Sequence, residues 1–155
     1  PEGNPPYSYI SRADAPYRDA GGNIIDDRDY LDAPAFPELN RYSFPRRPRL
    51  LSGADASVKV PGWLNDVTMY HNRGEAAFDN SEGDFYGDFV GLDGLFTERP
   101  EVVRGMVDIH KTWIREFGID GFRVDTVKHV NMEFWQKFVP EIRAYAASQG
   151  KPEFF

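Results

Sequence analysis

One heptapeptide constrains this chain more than any other stretch: Ile119-Asp120-Gly121-Phe122-Arg123-Val124-Asp125, which runs on into Thr126-Val127-Lys128-His129-Val130. It reads as a short buried strand that ends in a charged pair. Strand side chains alternate between faces. Ile119, Gly121, Arg123 and Asp125 therefore fall on one side, and Phe122 and Val124 on the other, where they suit packing beneath helices. Arg123 and Asp125 share a face. If that face is the inside of a barrel, neither charge sits there cheaply without its partner.

The surrounding residues show how such a strand is carried. Thr97 is a candidate helix cap, and Pro100 suits a first turn, where a missing N–H costs nothing. Val102, Val103, Met106, Ile109, Trp113, Ile114 and Phe117 recur at helical spacing, and Gly118 is placed to end that helix. After the charged segment, Asn131 caps a second helix with Trp135, Phe138, Val139, Ile142 and Tyr145 on its buried stripe. Pro140 should kink this helix or split it, and Gly150 ends it. Lys151 to Phe155 begins another strand. Helix, strand, helix, strand with short links is the grammar of a parallel sheet with helical crossovers, an α/β fold.

Residues 1–97 are different. They hold 9 of the 12 prolines and 10 of the 14 glycines and show little long-period apolar pattern. A structureless loop of that length does not fit a compact domain, so the stretch is expected to form a small irregular subdomain with short strands such as Ser57 to Val60. The basic run Pro45 to Arg49 reads first as a solvated loop, with a substrate or partner contact as the alternative. Trp63 to Gly74 mixes aromatics with amides, His71 and Arg73. Sugar sites use such groups at a rim, although packing is the ordinary role for Trp63 and Tyr70. Gly83 to Leu95 sets Asp84, Asp88 and Asp93 among glycines and aromatics. These can offer oxygen ligands to calcium, but the spacing is not that of an EF-hand loop, and Asp84 and Asp88 read first as turn residues. His110, on the first helix, reads as a satisfied or surface histidine.

The pairing of Arg123 with Asp125 has a chemical use. A carboxylate nucleophile must be ionised and held still, and a neighbouring guanidinium does both. In parallel barrels and open sheets, sites form at the carboxyl ends of strands, where Asp125 lies. A structural ion pair accounts for the same spacing equally well.

The segment GFRVDTVKHV resembles the second signature region of the α-amylase family, glycoside hydrolase family thirteen: Gly, apolar, Arg, apolar, nucleophilic Asp, then a Lys-His pair. GLDGLFTERPEV resembles the short signature at the end of that family's inserted subdomain, which leads into a barrel helix through Thr-Glu-x-Pro. The resemblance implies part of a TIM (β/α)8 barrel. Residues 1–97 would be the inserted subdomain, between the third strand and third helix, and residues 98–155 a barrel segment ending at the start of the fifth strand. It implies that Asp125 is the nucleophile and Arg123 its partner, and that Lys128 and His129 contact sugar on the leaving-group side. In calcium-binding members of the family, the aspartate at Asp93 and the backbone carbonyl at His129 are metal ligands. Here Gly94-Leu95-Phe96 replaces the usual Leu-Asn/Asp that follows Asp93.

Retaining hydrolysis needs a second carboxyl as general acid. Family members carry it as a glutamate at the end of the fifth strand, where this chain has only Glu153, at the wrong end. The acid is thus expected beyond Phe155, the chain alone is expected to be inactive, and its uncovered faces are expected to make it aggregate or oligomerise. The substrate implied is an oligo- or polysaccharide. The signature leaves open an α-glucosidase, a transglycosylase or isomerase, or a non-catalytic sugar- or protein-binding relative. A net charge of −7 argues against a nucleic-acid groove. No apolar run approaches the ~20 residues of a membrane span. The absence of cysteine excludes a disulfide framework and a thiolate zinc site and leaves the compartment open, with secretion or the periplasm compatible.

Overall fold

A computed structural model describes residues 7–48, 50, 52–79 and 81–155. Its regular structure lies in the second half. Helix α2 spans Pro100–Phe117, with Pro100 in its first turn, and Gly118 ends it in the left-handed conformation at φ 62°. The cap position belongs to Arg99, not Thr97, and carries no side-chain cap bond. Instead the Val102 and Val103 N–H groups both donate to the Arg99 carbonyl, at 3.0 and 3.1 Å. Val102, Val103, Val107 and Ile114 form the buried stripe. Trp113 and Phe117, expected on it, are 48% and 65% exposed and pack on each other at 4.7 Å.

Helix α3 spans Met132–Ser148 from an N-cap at Asn131, and it remains one helix with Pro140 inside it. Phe134, Phe138, Ile142 and Ala146 are its buried ladder at four-residue intervals, while Val139 faces outward. The two helices share one apolar cluster, which Phe154 completes and against which Ile119, Phe122 and Trp135 pack. His110 is satisfied there. Its Nδ1 lies 2.8 Å from the Met106 carbonyl, and its ring stands edge-on to Phe122 and Phe138.

The segments 119–125 and 151–155, expected to be strands, are not assigned to a sheet. They pair at a single point. Phe122 N–H donates to the Phe155 carbonyl (2.9 Å) and Phe155 N–H donates to the Asp120 carbonyl (3.3 Å), the pattern of parallel neighbours about Gly121. A sheet strand needs a longer ladder than these residues supply. Ile119 joins Phe122 on the helical cluster, so the predicted alternation of faces fails at the start of the segment.

The first half is irregular, as expected. Strands β1 (Tyr17–Arg18) and β2 (Ile24–Ile25) form an antiparallel pair. Single 3-10 turns occupy Asp27–Tyr30, Gly53–Ser57, Gly62–Asn65 and Val67–Met69, and one α-helical turn, α1, occupies Gly83–Tyr86. Ser57 to Val60 is not a strand. Ser57 closes the 3-10 turn, which the Asp55 carboxylate stabilises by accepting from Ser52 N–H at 2.5 Å, and a local cap of this kind outcompetes sheet pairing. Tyr17, Phe36, Phe44 and Phe96 make a second, aromatic cluster. In the basic run, Arg46 hydrogen-bonds the Ser8 carbonyl and Arg47 lies 5.0 Å from the Tyr42 ring. Arg49 falls outside the described residues.

A tight hairpin joins Phe89 to Leu92 by two reciprocal backbone bonds of 2.9 and 3.0 Å. Its central residues, Val90 and Gly91, both have positive φ, 50° and 81°. A turn with two positive φ values favours Asn-Gly, and a β-branched residue is strained there. Val90→Asn is expected to raise stability by about 1 kcal/mol, measured as the urea midpoint; an unchanged or lowered midpoint contradicts this account of the turn.

Candidate active site

Arg123 and Asp125 make the expected contact, but on an exposed segment that is not a sheet strand. Arg123 Nη2 donates to Asp125 Oδ1 at 2.9 Å, with the two side chains 87% and 73% exposed. At that exposure the pair contributes little to stability, so it is not a buried structural bridge holding this chain together. The chain turns sharply after it. Thr126 sits at φ 59°, ψ 20°, and its carbonyl accepts from His129 N–H at 2.8 Å, closing a 3-10 turn over Val127–His129. A threonine in the left-handed region is a backbone outlier of the kind concentrated at functional sites.

That turn places His129 against the irregular half. Its Nδ1 lies 2.7 Å from the Asp84 carbonyl, and the paired rings of Phe78 and Phe89 stand to one side of the imidazole at 6.1 and 5.8 Å. Asp125, His129 and Asp93 line one half-open cavity of about 450 Å³, together with His71, Phe89 and Trp135. Arg123 and Lys128 are exposed and stand outside this lining. Glu153 lines different cavities from Asp125.

Sequence reasoning placed His71 and Arg73 at a possible rim; the structure buries both. His71 Nε2 and Glu98 Oε2 are 2.8 Å apart with 2% of each side chain exposed. The guanidinium of Arg73 lies 3.9 Å over the Tyr17 ring and donates through Nη1 to the carbonyls of Ile10 and Ala15 at 3.1 and 3.0 Å. Trp63 and Tyr70 have structural roles: the Trp63 indole fills the space beside Gly105 of α2, and Tyr70 donates to the Leu64 carbonyl at 2.6 Å. Asp84 lies within α1, not in an open turn. At Gly94 the backbone carbonyl accepts from His71 N–H (2.9 Å) and the N–H donates to Asp88 Oδ1 (3.0 Å).

For calcium the donor set is short. Asp93 and His129 share the cavity, but no group of three His, Cys, Asp or Glu side chains that could hold a metal occurs among the described residues. A calcium ion takes about 6–8 oxygens.

Comparison with known proteins gives the family. Residues 26–152 match the Alpha-amylase family (alpha amylase, catalytic domain). The chain is 50% identical over 150 residues to an alpha-amylase of Streptomyces lividans, covering 96% of the chain and 16% of that protein. It is 34% identical over 92 residues to a cyclomaltodextrin glucanotransferase of Geobacillus stearothermophilus, covering 59% and 13%. The crystal structure of the alpha-amylase from Geobacillus thermoleovorans complexed with acarbose superposes with a TM-score of 0.51 at 38% identity, over 60% of this chain and 21% of that one. The fold is accordingly a portion of a TIM (β/α)8 barrel. The chain belongs to the alpha-amylase family, through its catalytic domain, and spans about a sixth of the length of its Streptomyces relative.

One titration in the site region is predicted to control stability. Burial pushes the Asp88 carboxyl up from 3.8 to about 6; the Gly94 N–H opposes this, and Asp93 and Glu75 add to it. The folded form thus favours protonated Asp88, and this stabilisation is lost as pH rises from about 4 through 6. Asp88→Asn remains neutral and still accepts from Gly94 N–H. It should remove the fall in stability between pH 4 and 6 and leave the protein more stable at pH 7, by at most about 3 kcal/mol. Urea unfolding at pH 4, 5.5 and 7 reads this directly; parallel curves for both proteins would rule it out.

Proposed function

We propose that the complete enzyme containing this chain is a retaining glycoside hydrolase that cleaves α-glucans through a covalent glycosyl–Asp125 intermediate. The observation that carries the proposal is the Arg123–Asp125 pair, 2.9 Å apart, with Asp125 on the wall of a cavity in a chain of this family. Arg123 holds Oδ1, which leaves Oδ2 free to attack the anomeric carbon. As that bond forms, the glycosidic C–O bond breaks, and a general acid delivers its proton to the leaving oxygen. Water then attacks the glycosyl ester, and the same residue, now a base, takes the proton.

The second carboxyl must lie about 5–5.5 Å from Asp125. We assign it to a glutamate in sequence following Phe155, so the 155-residue chain by itself is inactive. Lys128 and His129 contact the sugar on the leaving-group side. Asp93 and the His129 carbonyl would supply oxygen ligands to a calcium ion, and no step is routed through the ion. The substrate is an oligo- or polysaccharide. Transfer to a second sugar in place of water is the competing reading, favoured by the similarity to the cyclomaltodextrin glucanotransferase; product analysis on starch, maltose and sucrose separates the two.

Asp125→Asn in the complete enzyme is expected to lower turnover by roughly a thousandfold or more, and mass spectrometry of the quenched wild-type reaction should find the glycosyl adduct on Asp125. Near-normal turnover of the variant would refute the proposal.

A further inference from the structure

We infer that the single helical turn α1 is the device that fixes the orientation of His129, and that Glu82 and Gly87, at its two ends, are positioning residues for the reaction. This rests on the proposed function, in which His129 contacts the sugar. A carbonyl oxygen only accepts, so the 2.7 Å contact between Asp84 O and His129 Nδ1 requires the proton on Nδ1. Nε2 is left as the nitrogen available to a ligand. Phe78 and Phe89, 4.9 Å from each other, pack edge-on against one side of the ring.

One helical turn has no stability of its own, and α1 is held from outside at both ends. At the first, the Glu82 carboxylate accepts from the Tyr9 hydroxyl (2.9 Å), the Arg12 backbone N–H (2.7 Å) and Arg12 Nε (3.4 Å). At the second, Asp88 N–H donates to the Gly74 carbonyl at 2.8 Å, while within the turn Gly87 N–H donates to the Gly83 carbonyl at 2.8 Å. A Cβ on Gly87 would lie 2.5 Å from that carbonyl oxygen and 2.7 Å from Ala76 N. The Ala76 segment cannot retreat without loss, because Ala76 N–H donates to the Asp88 carbonyl at 2.9 Å and Asp88 N–H to the Gly74 carbonyl at 2.8 Å. A side chain at position 87 therefore displaces α1, and with it the carbonyl that orients His129. A hydrogen bond weakens steeply with such misalignment.

The test is a double-mutant cycle in the complete enzyme, with kcat/KM on a malto-oligosaccharide as the readout. Gly87→Ala should lower it on the order of tenfold. In a His129→Ala background the same substitution should change it by less than about twofold. Selective ¹⁵N labelling of histidine, with His129→Ala as the assignment reference, should show the Nδ1-protonated tautomer for His129 in the wild type and a mixture of tautomers in Gly87→Ala. Should Gly87→Ala fail to fold, Glu82→Ala releases the other end without intruding on the backbone and is taken through the same cycle. Equal losses in both backgrounds, or an unchanged tautomer, overturn the inference. Failure of the underlying reading has a different signature: Asp125→Asn keeps its turnover, while the tautomer measurement, which needs no activity, still reports whether α1 holds the ring.

Discussion

The contact on which the rest depends is the buried pair of His71 and Glu98. Glu98 lies just before α2 and His71 in the irregular half, with their side chains 2.8 Å apart and out of water. Removing one partner of such a pair leaves a polar group stranded, at a cost of about 3–5 kcal/mol for a fully charged pair. Around it, the His71 ring packs 4.8 Å from Phe96 and 5.3 Å from Tyr86, and the His71 carbonyl accepts from the Tyr17 hydroxyl at 3.2 Å. One polar contact thus fastens the aromatic cluster, the helical turn α1 and the entrance to α2. The cavity wall is built from what these elements carry.

The regular half was legible because its signals are local. Pro100, Gly118 and the apolar spacing of α2 act within a few residues of one another, and the structure follows them. Where tertiary neighbours decide, the pattern misleads. Trp113 and Phe117 share the helical period of Ile114, yet they find each other in solvent rather than the cluster. The segment around Gly121 reads as a complete strand, but among the described residues its backbone pairs only with Phe155. In the irregular half, no pattern marks Arg73 or His71 as buried, because their partners, Ile10, Ala15 and Glu98, are distant in sequence.

The candidate site divides in the same way. Asp125 and Arg123 were visible from alternation and from the family signature, since the pair spans three consecutive positions. The setting of His129 was not, because its partner Asp84 belongs to the helical turn α1, whereas the sequence marks Asp84 only as a turn residue among glycines and aromatics. Thr126 gave no warning either: threonine rarely adopts the left-handed conformation, and only the closed turn over Val127–His129 explains it. Gly94, a departure from the family pattern, supplies backbone contacts to both His71 and Asp88.

The exposure of the Arg123–Asp125 bridge has a consequence for how such a nucleophile is made ready. Facing water, two opposite charges attract weakly, and mobile ions weaken them further; the same two charges under a low-dielectric cover attract several times more strongly. The heptapeptide therefore sets which atoms meet, while the grip of the guanidinium on the carboxylate is governed by whatever shuts out solvent above them. Rigidity at this position is a collective property, acquired only when the cleft is roofed.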